Sequence, residues 1–283
     1  MIDHSLIEME IAGKRSTSPR TLTPVEKLLR DIREGLLSYH VWTTLGWYDI
    51  RQRYRRSTIG PFWITLSLTI TIAALGILYA KLFHQEIHSY IPYLTTGVVI
   101  WNLLQSLINE STTVFVGAAG TIQQIKLPFS FHVLRMISRN LIIFAHNLVV
   151  VVAVIILFKV HINWSLLFFP VALLLWVGNA LWVGLLLGAF CARFRDVAQI
   201  VMSIVQILFF VTPVMWHPDA LGAHAWISRL NPLAQFFDIL RDPLLGQTSS
   251  LFSWGYVFLA TLIGWIGTLV LFAKYRSRIA YWV

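Results

Sequence analysis

Charge is scarce in this chain. Of its 283 residues only 12% are Asp, Glu, Lys or Arg, against about 25% in a soluble domain. Hydrophobic residues make up 57%, and mean hydropathy is +0.69. These values exclude an ordinary water-soluble domain and leave a polytopic membrane protein. Cysteine is almost missing. Cys191 stands alone, which excludes an internal disulfide framework and reads as a small apolar residue within a span. The nine histidines are scattered, so no zinc-ligand cluster is visible. A phosphate-binding G-x-x-x-x-G-K-[ST] loop is absent, because Gly13-Lys14 lacks the upstream glycine and the following hydroxyl. There is no nucleophile elbow. Residues 1–23 carry no apolar stretch of the signal-peptide kind, so the first span is expected to act as the insertion signal. Acids are few, and the formal charge is +9. We read that excess as Lys and Arg placed for membrane orientation, with no nucleic-acid partner.

What is present is organised around YDIRQRYRRSTIGPFW, Tyr48 to Trp63. Arg51, Arg53, Arg55 and Arg56 stand directly before a long apolar run, with Gly60 and Pro61 at the join. Lipid cannot hydrate a guanidinium, and anionic headgroups attract one. A cluster this dense beside the first span predicts a cytoplasmic N-terminus.

Six spans of about 20 residues are expected: 62–83, 91–116, 140–158, 166–191, 197–215 and 252–273. With these spans, eighteen Lys and Arg fall on one side and four on the other, which places both termini in the cytoplasm. The domains read as a flexible cytoplasmic tail at 1–23, an amphipathic interfacial region at 24–60, a six-span domain at 61–273 and a cytoplasmic tail at 274–283. The interfacial region opens with a T-x-x-E capping box, Thr23 to Glu26, with Pro24 first in the helix. Val25, Leu28, Leu29, Ile32 and Leu36 form its apolar stripe, and Gly35 is expected to interrupt it.

Two connections exceed turn length. The cytoplasmic one, 117–139, contains a short helix candidate presenting Gln123, Gln124 and Lys126, with Leu127 and Pro128 ending it. The outer one, 216–250, is too apolar for an exposed loop. Asn231-Pro232 starts a helix whose packed face is Leu233, Phe236, Phe237, Leu240 and Leu244. It is too short to cross a bilayer, so we expect a re-entrant helical pair between spans five and six. Asp238 and Arg241 lie three residues apart and are expected to pair near the water. Within span two, Asn102, Gln105, Asn109 and Thr113 recur at helical spacing. They either line a path for a polar substrate or bond neighbouring helices. Glu110 would cost about 3 kcal/mol at the bilayer centre, so it is expected near the cytoplasmic end or facing protein. Ala180, Gly184, Gly188 and Ala192 form a small-residue stripe suited to packing within the subunit or to dimerisation. Pro213 should kink or end span five.

Three stretches carry a resemblance: RYRRSTIGPFW (Arg53–Trp63), RFRDVAQIVMSIVQILFFVTPVMW (Arg193–Trp216) and NPLAQFFDILRDPLL (Asn231–Leu245). In order and spacing they resemble the permease subunits of ABC transporters that export polysaccharide. The O-antigen/lipopolysaccharide exporters are the closest group, with capsule and teichoic-acid exporters as near relatives. Leu127-Pro128 stands where that family usually has Phe-Pro. The resemblance implies an all-α protein of the bacterial inner membrane with six spans, working as a homodimer. Two copies of a separate ATP-binding subunit would hold ATP and Mg, with no cofactor in this chain. The N-terminal helix and the 117–139 loop would dock on that subunit. The substrate would be a glycan on an undecaprenyl pyrophosphate carrier, and the arginine cluster would attract its phosphates. Three alternatives stand beside a non-enzymatic transport subunit. One is an ABC permease for a drug or simple lipid. Another is a membrane glycosyl- or acyltransferase, for which Asp219, Asp238 and Asp242 are the only dense acids. The third is a structural scaffold binding other membrane proteins, which would show no ATP-dependent transport.

Overall fold

The computed structural model describes residues 23–55, 59–60, 62–82, 84–224 and 226–283, and among them every regular element is helical. Helix α1 (Pro24–Leu37) starts where the sequence predicts. The Glu26 amide donates to Thr23 Oγ1 at 3.2 Å, and the Thr23 amide donates to Glu26 Oε2 at 2.7 Å. Two orphan amides are thus satisfied reciprocally. Gly35 does not interrupt α1. The helix ends at Leu37, and α2 (Tyr39–Arg53) follows after Ser38. The physical role of Gly35 is contact: a Cβ there would collide with Ser130 Oγ.

Among the described residues, five helices are long and apolar enough to cross a membrane. They are α3 (Phe62–Leu82), α4 (Ile87–Thr113), α6 (Phe129–Leu157), α7 (Phe169–Arg193, preceded by a 3-10 turn at Trp164–Phe168) and α11 (Leu251–Tyr275). Between α4 and α6 lies the short α5 (Ala119–Gln124). The third span begins well before residue 140, because Pro128 starts α6 as its N-cap instead of merely breaking a helix. Helix α4 is the centre of the bundle, with Tyr90, Leu94, Val99 and Ile100 fully buried. The small stripe of α7 packs inside the protomer: Gly184 faces Val133, and Gly188 faces Val114 and Phe115.

The expected fifth span is the shortest. Helix α8 (Asp196–Val211) has 16 residues, about 24 Å, and Thr212 leaves helical geometry ahead of Pro213. Beyond it come a 3-10 segment (Pro218–His224), α9 (Trp226–Leu230) and α10 (Pro232–Leu244). Asn231 caps α10 by accepting from the Leu233 amide at 2.9 Å. The irregular stretch after α8 has its carbonyls satisfied by side chains. Pro213 O accepts from Arg241 Nη2 at 2.7 Å and from the Tyr93 hydroxyl at 3.0 Å. Met215 O accepts from Tyr90 at 2.8 Å, and Val211 O from Asn231 Nδ2 at 3.2 Å. Non-helical backbone within a bundle persists only with such partners. After α11 the chain ends in a 3-10 turn (Arg276–Arg278) and the four-residue α12 (Ile279–Trp282).

Candidate functional site

A cleft of about 590 Å³ opens between α3, α4, α6 and α8. Its polar lining comes from every wall: Ser67 and Thr71 on α3, Asn102, Gln105 and Ser106 on α4, Asn147 on α6 and Gln206 on α8. Aromatic rings share the wall. Trp101 donates to Gln105 Oε1 at 3.0 Å and sits 5.2 Å from Phe209, centroid to centroid. The Asn147 side chain is buried at 4% exposure, and its Oδ1 has no partner. The cleft therefore offers amides, hydroxyls and ring faces at once. Its two flanking helices are sparsely covered: α3 buries Leu68, Ile72, Gly76 and Ala80, and α8 buries only Val205.

One end of the cleft reaches Glu110 and Arg53. Glu110 Oε2 accepts from Arg139 at 2.7 Å and from Asn140 at 2.6 Å. Arg139 also donates to Asp49 at 3.1 Å, and Asp49 accepts from Arg135 Nε at 3.0 Å. Two guanidinia and two carboxylates thus tie α2, α4 and α6 together. Glu110 faces protein near the end of α4, as its cost in lipid requires.

The sequence-predicted residues divide. Asn102 and Gln105 line the cleft, whereas Asn109 and Thr113 do not. Asn109 Oδ1 is buried without a partner, and Thr113 Oγ1 turns back to Glu110 O at 3.4 Å. Arg53 borders the cleft; Arg51 and Arg55 are exposed away from it. Arg56 lies outside the described residues. Gln123 donates to Val283 O at 3.0 Å, while Gln124 and Lys126 are exposed. The short helix ends at Gln124, so Lys126, Leu127 and Pro128 lie in the extended link to α6.

In α10, Phe237 and Leu240 are fully buried and Leu233 and Phe236 half-buried. The Asp238–Arg241 latch near water is not what forms. Arg241 is 3% exposed, and its guanidinium lies 4.2 Å over the Tyr93 ring. It serves the carbonyl of Pro213, because α8 ends there and needs donors. No Asp238–Arg241 ion pair occurs among the described residues. Burial raises the Asp238 carboxyl, opposed by Arg241. Asp242 is pushed up to about 7 by burial and then by the charge of Asp238. His217, stacked on Tyr93 at 3.6 Å, is lowered by burial and by Arg241.

Sequence reasoning missed Asp31. Its carboxylate accepts from the Phe129 and Ser130 amides at 3.0 and 2.9 Å, and from Arg276 Nε at 2.9 Å. The only available signal was a lone acid on the apolar stripe of α1.

The ABC-2 type transporter family matches residues 40–245. The O-antigen export system permease protein RfbA of Myxococcus xanthus is 21% identical over 209 residues, covering 73% of this chain and 80% of that protein. Two proteins of the same name from Klebsiella pneumoniae are 22% and 23% identical, each over 82% of this chain and 90% of their own length. Apolar helices of bilayer length, a polar cleft walled by them and a match over most of the chain agree: this multi-pass membrane protein belongs to the ABC-2 type transporter family, whose permeases pair with an ATP-binding subunit.

Proposed function

We propose that this chain is the non-enzymatic permease of an ABC exporter moving a lipid-linked glycan, O antigen foremost, outward across the bacterial inner membrane. The observation that carries the reading is the cleft. Its mixture of Asn, Gln and Ser with Trp101 and Phe209 suits sugars, whose hydroxyls bond amides and whose C–H faces pack on rings. The curated relatives named for O-antigen export support the substrate class. The cleft lies between two thinly covered apolar helices, α3 and α8. A second copy facing it would complete a path, so the working unit is a homodimer with two ATP-binding subunits that carry ATP and Mg. Six spans, with α8 as the fifth, leave both termini cytoplasmic by the charge count. The exposed Gln124 and Lys126, with Gln123, Leu127 and Pro128 beside them, receive the ATPase stroke. The segment after α8 forms a re-entrant pair with α10 and seals the outer end. Arg53 at the cleft's rim, with Arg51, Arg55 and Arg56, meets the carrier's undecaprenyl pyrophosphate.

The test is ATP-driven movement of a lipid-linked glycan in proteoliposomes holding this chain and its ATP-binding partner. Ser67→Trp, which fills the cleft from α3, should abolish movement while ATPase persists. Replacing Gln124 and Lys126 by alanine should lower transport-coupled ATPase in an intact assembly. Phe236→Cys in a Cys191→Ser background should change its labelling between resting and transporting states; constant labelling reduces α10 to a static cap. Movement of a simple lipid or drug, but no glycan, overturns the substrate reading. Turnover of a glycan precursor by the chain alone overturns the non-enzymatic one.

A further inference from the structure

A second cavity, of about 550 Å³, shares no lining residue with the cleft. Helices α7 and α11 wall it, and Trp282 of α12 closes one end. Its other end is built rigidly. The Trp182 ring lies against Gly264, where a Cβ would collide with it. The Trp182 indole donates to Asn179 Oδ1 at 2.8 Å, and Asn179 donates to Thr261 at 2.7 Å. This clamp holds α7 to α11 at one level. One turn further along the approach is looser: a Cβ at Gly267 would only touch Leu186, at 4.0 Å, and there the cavity lies between the two helices.

The slot that opens there is apolar until it meets Arg193. That guanidinium lies 5.1 Å from the Phe194 ring and 5.4 Å from the Trp282 ring. It forms no ion pair among the described residues. Lys274, beside the lining residue Tyr275, and Arg278 in the following 3-10 turn are exposed. From Trp182 to Arg193 the helix rises about 16 Å. One leaflet's hydrocarbon is about 15 Å thick, half the bilayer core. The slot is therefore about as long as one leaflet is thick, and it ends at the exposed Arg193 guanidinium among aromatic rings.

We propose that this slot holds one anionic phospholipid per protomer, its acyl chains against Leu186 and Phe190 and its phosphate on Arg193. A guanidinium binds phosphate through paired hydrogen bonds, and interfacial Tyr275 and Trp282 suit the headgroup boundary. The proposal is independent of the cleft and of what passes through it.

Native mass spectrometry of the detergent-purified complex with its ATP-binding subunit tests it, titrating phosphatidylglycerol against phosphatidylethanolamine. Wild type should retain one phosphatidylglycerol per copy of this chain, with a preference that added salt weakens. Arg193→Gln should lower that preference about five-fold. Leu186→Trp, which fills the slot without touching the cation, should reduce retention of both lipids, with size-exclusion profiles checking assembly. Equal retention of the two lipids by wild type overturns the proposal, as does an unchanged preference in Arg193→Gln. Stronger competition by farnesyl diphosphate than by phosphatidylglycerol would assign the slot to a prenyl carrier instead. Cross-linking between copies through Phe190→Cys, in a Cys191→Ser background, would assign it to a second copy; either result refutes a phospholipid occupant.

Discussion

Asp31→Ala should be among the most damaging single changes at the end of the bundle where α1 meets the start of α6. The residue is 1% exposed, and its carboxylate serves two purposes at once. It accepts from both first amides of α6, and it pairs with Arg276 at 2.6 Å. Losing a helix cap costs about 1 kcal/mol. Removing one partner of a buried ion pair costs about 3–5 kcal/mol. The Arg276 side chain is 28% exposed, so water reaches it and the lower end applies. The expected loss is about 4 kcal/mol for alanine. Asparagine retains one acceptor but no charge, and should lose about 2 kcal/mol. Denaturant unfolding in mixed micelles measures both, and a cycle with Arg276→Ala should return a coupling of about 2 kcal/mol. Because Asp31 joins α1, the start of α6 and the end of α11, ATPase stimulation by substrate should fall with it. A destabilisation under about 1 kcal/mol, or additivity of the two alanine changes within about 0.5 kcal/mol, would refute the reasoning.

Lysine at Arg51, Arg53, Arg55 and Arg56 preserves charge and orientation but loses the planar fork. Transport should then fall about ten-fold, most of it from Arg53→Lys alone, and unchanged transport removes the phosphate role. Gly97→Ala should destabilise by about 1–3 kcal/mol, because its Cβ would meet the carbonyl oxygen of Val214 in the segment held by Arg241; a melting shift confined to the noise would show that this segment gives way freely. Asp242 has its carboxyl raised from 3.8 to about 7, so the folded state holds a proton that the unfolded chain releases. Stability should therefore decline as pH rises from about 4 to about 7 and level off above, and Asp242→Asn should abolish that slope in thermal melts. A flat wild-type profile would refute it.

The sequence by itself determined what depends on neighbours along the chain. Apolar runs of bilayer length, the Thr23–Glu26 capping box, the Asn231-Pro232 start and the stop at Pro213 are local signals. Except for the third span, which starts at Phe129 and not near residue 140, each appears in the structure within a few residues, because backbone hydrogen bonding in a helix reaches only four residues. Half of the polar stripe of span two was legible in the same way: period gives a face, and Asn102 and Gln105 do line the cleft. Only the tertiary structure decided that the lining continues from Ser106 to Glu110 and leaves Asn109 outside it. It also decided the partners of every buried charge. Asp31 meets Ser130 and Arg276, 99 and 245 residues away, and Asp49 meets Arg135 at a separation of 86. Arg241 reads as one half of a local pair with Asp238, yet it turns to a carbonyl 28 residues back. A broken helix inside an apolar bundle needs a donor more than the partly buried Asp238 carboxyl, which burial pushes toward its neutral form, needs a cation, and only packing brings that broken end to Arg241.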